Sequence, residues 1–211
     1  MKVYGVVMTA VTDTPNRRGR PRAFDEDEVL DTLIALFWEQ GFEACSLNEI
    51  VDAAGLNKSS LYNAFGSKEE LFITVLDRYV DHRQAVLDEA LADGGIDALV
   101  AFFEMQREQM MSEIGCRGCM AVNASTELGM RDQRVVEVGD RYRAMLRGVI
   151  HGSLTISAER GEIMPSLVDV YADSVLSVCL GLAVSARSGA AVEELSQMID
   201  SMLALIRSWR L

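Results

Sequence analysis

Cys116 and Cys119 form a C-x-x-C in the stretch "EIGCRGCMAVNAS", residues 113–125, and make up half of the chain's four cysteines. Two thiols at that spacing can hold a metal, exchange a disulfide or react as thiolates. Structural zinc needs four ligands and usually takes two such pairs. Here there is one pair, and His82 and His151 lie far apart with no paired-ligand spacing to complete it. A thioredoxin-like enzyme requires a βαβ setting. A sensor of oxidants, electrophiles or soft metals is better founded, since a thiol at a helix N-terminus ionises more readily and Arg117 adds positive charge. The preferred reading is plainer: both cysteines are small helix-start residues packed beside a core. The sequence has no nucleophile elbow, phosphate loop or paired-carboxylate motif. No catalytic residue, metal site or cofactor is therefore expected.

The second candidate chemistry is positive charge. The formal net charge is −12, which taken alone argues against nucleic acid. Whole-chain charge is a poor test when one small part binds DNA. The basic residues cluster: "NRRGRPR", residues 16–22, has four arginines and no acid. Residues 53–68 carry Lys58 and Lys68 and again no acid.

Helix signals explain how these islands are positioned. Asp25 is an N-cap with Glu28 three residues on, an Asp variant of the capping box, and Phe24 with Val29 is its staple. Leu30, Leu33, Ile34 and Phe37 follow at helical spacing, and Gly41 ends the helix. Ser46 with Glu49 opens a second helix that stops near Gly55. Asn57 caps a third, which Gly66 stops. Ser67 with Glu70 opens a long fourth, with Leu71, Val75, Leu76, Tyr79, Val86 and Leu87 on one face. Later segments read as helices from Ile96 to Met111, from the C-x-x-C to Gly129, from Asp132 to about Arg160, from Pro165 to about Arg187, and from Val192 to Arg210. The fold class is all-α. Residues 1–18 are expected to be a disordered tail, 19–70 a three-helix unit, and 71–211 a larger helical domain.

Composition agrees. Hydrophobic content is 49% and charge 25%, ordinary for a globular chain. No uninterrupted apolar run reaches the roughly 18 residues of a membrane span, so no membrane partner is expected. Four cysteines make no disulfide framework, which points to a reducing cytoplasm.

Two short helices joined by Ala54-Gly55-Leu56 are a helix-turn-helix signature, and the second of such a pair enters the major groove. Lys58, Ser59, Tyr62 and Asn63 lie on one face of that helix, with Leu61 and Phe65 on the other. Asn63 can pair with adenine, and Lys58 can reach guanine or phosphate. Tyr62 can donate to a phosphate. Ser46 and Lys68 stand at helix N-termini, where phosphate is favoured. Arg20 and Arg22, in an arm extended by Pro21, suit the adjacent minor groove. A solvated leader would explain the arm alone, and an ordinary surface helix would explain "SSLYNAF" alone. The two acid-free basic islands around one helix-turn-helix are harder to explain that way.

The segments "GRPRAFD", "LFWEQGFEACSLNEI" and "AAGLNKSSLYNAFGSKEELF" strongly resemble the DNA-binding domain of TetR-family transcriptional regulators, over residues 19 to about 79. The resemblance implies an all-helical homodimer of about nine helices per chain, with residues 19–70 as the DNA-binding domain and 71–211 as a divergent ligand-binding and dimerisation domain that pairs through the last two helices. It places the phosphate and base contacts on Ser46, Lys58, Ser59, Tyr62, Asn63 and Lys68. The expected function is repression: a dimer binds a palindromic double-stranded DNA operator and is released by a small-molecule effector of unknown identity. The alternative is a thiol-based sensing regulator using Cys116 and Cys119. Effector-pocket candidates on the middle helices are Phe102, Phe103, Gln106, Met110, Cys119, Asn123, Glu127, Met145 and Tyr171, a set suited to an apolar or amphipathic molecule. Plain core packing competes with that role at each of them.

Overall fold

The computed structural model describes residues 24–112 and 115–211. The expected tail 1–18 and the arm residues Arg20 and Arg22 lie outside the described residues. Among the described residues there are nine α-helices and no strand.

The first three helices are short because each is stopped by glycine. α1 (Glu26–Gln40) ends at Gly41, α2 (Leu47–Ala54) at Gly55 and α3 (Lys58–Phe65) at Gly66. Ser46 and Glu49 form a reciprocal capping box for α2, as do Ser67 and Glu70 for α4 (Lys68–Ala90). The box expected at Asp25 is only half made. Its carboxylate accepts from Asp27 N at 2.9 Å and Glu28 N at 3.4 Å. No return bond from Glu28 is present among the described residues, and two carboxylates at one cap repel each other.

α1, α2 and α3 surround a core of Leu33, Ile34, Phe37, Ile50 and Leu61, each at most 4% exposed. The N-terminal half of α4 completes that core. Phe72 meets Phe37 edge-on at 5.0 Å, and Tyr79 meets Trp38 at 5.3 Å. Arg78 clamps the outside of the same contact, reaching Asp31 at 2.5 Å and Asp27 at 2.6 Å. The division expected at residue 70 thus falls in the first turn of a helix shared by both parts, and the buried residues form one continuous core.

The larger part contains α5 (Gly95–Met110), α6 (Met120–Leu128), α7 (Gln133–Glu159), α8 (Val168–Arg187) and α9 (Val192–Ser208). α7 packs against α4, α5, α6 and α8, and α5 and α8 both pack on α9. Two local expectations change. The C-x-x-C does not open a helix directly: Gly115–Arg117 is a 3₁₀ turn, and α6 starts after Cys119. Pro165 likewise begins a 3₁₀ turn, Pro165–Leu167, and α8 follows it. The segment Pro165–Arg187 is long and apolar enough to cross a membrane by length and composition. It differs from the expectation of no membrane-length apolar run because Asp169 and Asp173 divide its apolar residues. In the fold α8 buries Val175, Cys179, Leu182 and Ala186.

Candidate functional site

α3 is eight residues long and has no acid in its first turn and none elsewhere in "KSSLYNAF". Leu61, 2% exposed, anchors it to the core, which turns Lys58, Ser59, Tyr62 and Asn63 to solvent. These four are linked in pairs one turn apart. The Lys58 ammonium stands 5.8 Å from the Tyr62 ring centre, and Asn63 Nδ2 is 3.5 Å from Ser59 Oγ. Both arrangements hold the polar tips above one helix face. Ser46 is also exposed, at the start of α2. Its hydroxyl accepts from Glu49 N at 3.3 Å. The Ser46 hydroxyl and backbone bonds in turn hold the Glu49 carboxyl below its usual range.

Lys68 behaves differently from the expectation of a free phosphate contact. Its ammonium donates to the Phe42 carbonyl at 2.6 Å and lies 4.3 Å from the Phe42 ring centre. The side chain fastens α4 to the turn after α1.

That turn, residues 38–43, is where the larger part grips the helix-turn-helix. Glu127 on α6 accepts from Phe42 N at 3.1 Å and Glu43 N at 2.8 Å. Gly41 has φ +87°, and a Cβ there would lie 2.8 Å from Glu127 Oε2, so the close approach requires glycine. Arg187, at the end of α8, donates to Trp38 O at 3.2 Å and Glu39 O at 3.0 Å. These are carbonyls that the end of α1 leaves without helical partners. Arg117 pairs with Glu39 at 2.9 Å, and Arg131 pairs with Glu43.

The effector candidates divide between fully buried and half-buried positions. Phe102 and Phe103 are fully buried in α5, edge-to-face at 5.3 Å. Gln106, Met110, Asn123 and Met145 are half-buried. Asn123 donates its amide to Arg117 O at 2.8 Å, closing the 3₁₀ turn. Two candidates already have structural partners. Glu127 spends both carboxylate oxygens on the α1–α2 turn, because two unpaired N–H groups there face α6. Tyr171 stacks on Trp209 at 3.9 Å, closing the end of the chain over the start of α8. Two surface clefts of about 230 Å³ each border the helix-turn-helix. One is lined by Phe42, Phe72, Leu128 and Arg131 among others, the second by Phe24, Thr32 and Leu56 among others, and neither includes any of the nine candidates.

The two cysteines of the motif part company. Cys116 is exposed in the 3₁₀ turn, whereas Cys119 is 8% exposed at the α6 N-cap. Gly118 between them has φ +67°, and a Cβ there would lie 2.4 Å from Ala183 O on α8. Any other residue would push the turn off that helix. Around Cys119 lies a polar cluster that sequence patterning did not single out. Tyr79 Oη is 3.4 Å from Cys119 Sγ, and Tyr142, Arg83 and Cys179 face the same point. Burial raises both phenols well above their usual range, with Cys119 adding to the effect. Burial likewise pushes the Cys179 thiol up to about 12. A sequence signal for Arg83 existed: it stands at i+4 from Tyr79 and i−4 from Leu87, inside the buried stripe of α4, where a lone charge is out of place.

A helix-turn-helix with an acid-free reading face, carried on a larger helical body, defines a DNA-binding regulator. A family model described as bacterial regulatory proteins, tetR family, matches residues 29–75. The HTH-type transcriptional repressor ComR of Escherichia coli (strain K12) is 34% identical over 192 residues, 89% of this chain and 91% of ComR. The HTH-type transcriptional repressor BdcR of the same strain is 30% identical over 179 residues, covering 84% and 86% of the two chains. Among solved structures, a cysteine mutant of the TetR family regulator CifR, complexed with 26 bp double-strand operator DNA, matches at TM-score 0.77. It is 25% identical and covers 90% of this chain and 100% of that one. The reduced form of E. coli NemR shares the fold at TM-score 0.76 and 21% identity, over 88% and 96% of the chains. The chain belongs to the TetR family: it is a DNA-binding transcriptional regulator and not an enzyme.

Proposed function

We propose that the protein is a cytoplasmic repressor that binds a (pseudo)palindromic operator as a homodimer and leaves it when a small-molecule effector enters the larger domain. The carrying observation is the outward face of α3, with Lys58, Ser59, Tyr62 and Asn63 exposed together on a helix without acids. One such helix reads only a few base pairs. A two-fold dimer sets two of them about 34–36 Å apart, one turn of DNA. ComR and BdcR are repressors by name, and CifR is seen on operator DNA. Dimerisation is supported by apolar surface on the last two helices, where Val170, Val184, Val192 and Leu205 are each more than 40% exposed. Arg20 and Arg22 complete the reading as minor-groove contacts. Release follows from the grip on residues 38–43, since effector binding that shifts α6 or α8 moves Glu127 and Arg187 and with them the reading helices. Selection of bound sequences from random DNA, followed by a gel shift of the winners, tests this. An inverted repeat bound by two chains is expected; enrichment of no motif, or binding by a single chain, overturns it.

The thiol-based alternative has its own observation. Cys119 accepts from Tyr79 of α4 and stands at the N-cap position of α6, the helix that carries Glu127. Chemical change at this sulfur would therefore act on both elements that position the reading unit. Cys116→Ser and Cys119→Ser separate the two readings. Operator release by oxidants or electrophiles that disappears in Cys119→Ser favours the thiol; release that persists in both favours a pocket ligand.

A further inference from the structure

Arg83 is the chemically anomalous residue of the larger domain. It lies on the inner side of α4, and its Nε is buried without a hydrogen-bond partner. Among the described residues it makes no ion pair, whereas Arg78, five residues earlier, is held by two aspartates. The groups that face it are Tyr79 on the same helix, Tyr142 on α7, Cys179 on α8 and Cys119 at the start of α6. No carboxylate stands among them. Tyr79 and Tyr142 are buried and keep their protons, and both hydroxyls are turned to the weak acceptor Cys119 Sγ, from which an oxygen anion would draw them.

A guanidinium does not shed its charge in a protein. An uncompensated cation in a core costs far more than one hydrogen bond returns. The Tyr79 hydroxyl has only a weak sulfur acceptor, Cys119 Sγ at 3.4 Å, and Arg83 Nε has none, so the cluster holds a fixed cation with no anion facing it. Arg83 keeps part of its surface exposed, so a solute can reach it. Four separate elements meet there, and two of them, α6 and α8, carry the Glu127 and Arg187 contacts to residues 38–43.

We propose that this cluster is the effector's anchoring point and that the effector is a small organic anion, a carboxylate with an apolar body, whose head is held by Arg83 with the Tyr79 and Tyr142 hydroxyls. The inference rests on the ligand-responsive reading above. The apolar body lies among the half-buried and buried aromatic and methionine side chains of the middle helices. The head draws α4, α6, α7 and α8 toward one point, which displaces the two grips on the α1–α2 turn.

The test uses the full-length dimer and two matched series, straight-chain carboxylates from butanoate to decanoate and the primary amides of the same lengths. Trp38 packs on Tyr79, so its emission, read in a Trp209→Phe background, reports on the cluster. Carboxylates are expected to raise Tm, change Trp38 emission and release operator DNA, with the amides inert. Arg83→Gln is expected to weaken carboxylate binding by roughly 10–100-fold, the loss of a charge-assisted contact. Arg83→Met in the absence of ligand is expected to match or exceed the wild-type Tm, because it removes a part-buried cation whose Nε has no hydrogen-bond partner. A lower Tm for Arg83→Met, equal responses to amides and carboxylates, or an unchanged response in Arg83→Gln each overturn the proposal. A response to amides alone overturns it while leaving the ligand-responsive reading intact. Silence to both series with release by an oxidant overturns both in favour of the thiol reading.

Discussion

Glu127 and Phe42 are 85 residues apart in sequence, and Glu127 Oε2 accepts from the Phe42 amide at 3.1 Å. The other oxygen takes the next amide, of Glu43. One carboxylate on α6 thereby ends the loose backbone after α1. Charge-assisted bonds of this kind contribute about 1.5–3 kcal/mol each when one partner is removed. Glu127→Ala is expected to lower stability by about that amount and to weaken operator binding, because α2 and α3 lose a fixed origin. Glu127→Gln, which keeps one acceptor, should fall between. Urea unfolding with a parallel gel shift reads both; an unaltered urea midpoint would show that water replaces the carboxylate without cost.

The reading face separates into residues that position and residues that specify. Lys58→Ala should weaken binding to all DNA sequences and reduce the slope of log K against log salt by about 1. Asn63→Ala should cost about 1–3 kcal/mol on the selected operator and relax preference at one position per half-site. Tyr62→Ala should lower affinity with the dimer intact. Lys68→Ala should also lower affinity but, unlike these, reduce Tm, since its ammonium secures Phe42. Titrations at several salt concentrations distinguish the cases. Equal salt slopes for wild type and Lys58→Ala would remove Lys58 from the phosphate contacts.

The DNA-binding unit was legible because its signals are local. Ser46 with Glu49, Asn57, and Ser67 with Glu70 announce three helix starts, and Gly41, Gly55 and Gly66 the stops. Those signals depend on backbone groups three or four residues away. The larger domain was legible only as helices. What its polar side chains do depends on partners far along the chain, as with Glu127 and Phe42 or Arg187 and Trp38. No spacing rule reaches across 85 or 149 residues. The Cys116–Cys119 pair shows the opposite failure. Its spacing suggested a joint site, but Gly118 at positive φ turns one cysteine outward and the other inward. Arg83 does leave a local signal, a lone charge inside the apolar stripe of α4 between Tyr79 and Leu87.

The cysteines should react in a fixed order. Cys116 is exposed, Cys119 buried. Burial raises the Cys45 thiol to about 11 and Cys179 to about 12, despite Lys68 and Arg83 respectively working the other way. With a disulfide reagent at pH 8, Cys116 is expected to give the one fast phase, Cys119 a slow one, and Cys45 and Cys179 to react only on unfolding. Mass mapping after timed quenching assigns each phase. A fast phase that survives in Cys116→Ser would contradict this arrangement.

Surface apolar residues on the last two helices give a prediction independent of DNA. Leu205 is 46% exposed on α9 and Val184 44% on α8. An apolar surface buried between subunits contributes about 25 cal/mol per Å², and a charge placed there must be desolvated without a partner. Leu205→Glu and Val184→Glu are expected to shift the protein to monomer in sedimentation or light scattering and to abolish operator binding. Far-UV circular dichroism should remain helical. A dimer that persists in both variants would place the interface elsewhere.

Stability should fall steeply on the alkaline side, and the cluster around Cys119 sets the window. Tyr79 and Tyr142 have folded pKa values above 10.0, and Cys179 lies near 12 against an ordinary 9.0, with burial as the first cause in each. Above pH 9 the unfolded chain gives up protons that the fold retains. The unfolded state then binds fewer protons than the native state, and stability declines as pH rises. Below pH 9 both states keep these protons and the groups contribute no slope. Each such group steepens the decline by about 1.4 kcal/mol per pH unit within its window. Tyr142→Phe keeps the ring and removes the phenol, so its unfolding free energy between pH 10 and pH 11.5 should fall by about one group's slope less than wild type. Urea unfolding at stepped pH reads the difference. Parallel curves for the two proteins across that range would mean that the Tyr142 hydroxyl ionises in the fold as it does in water.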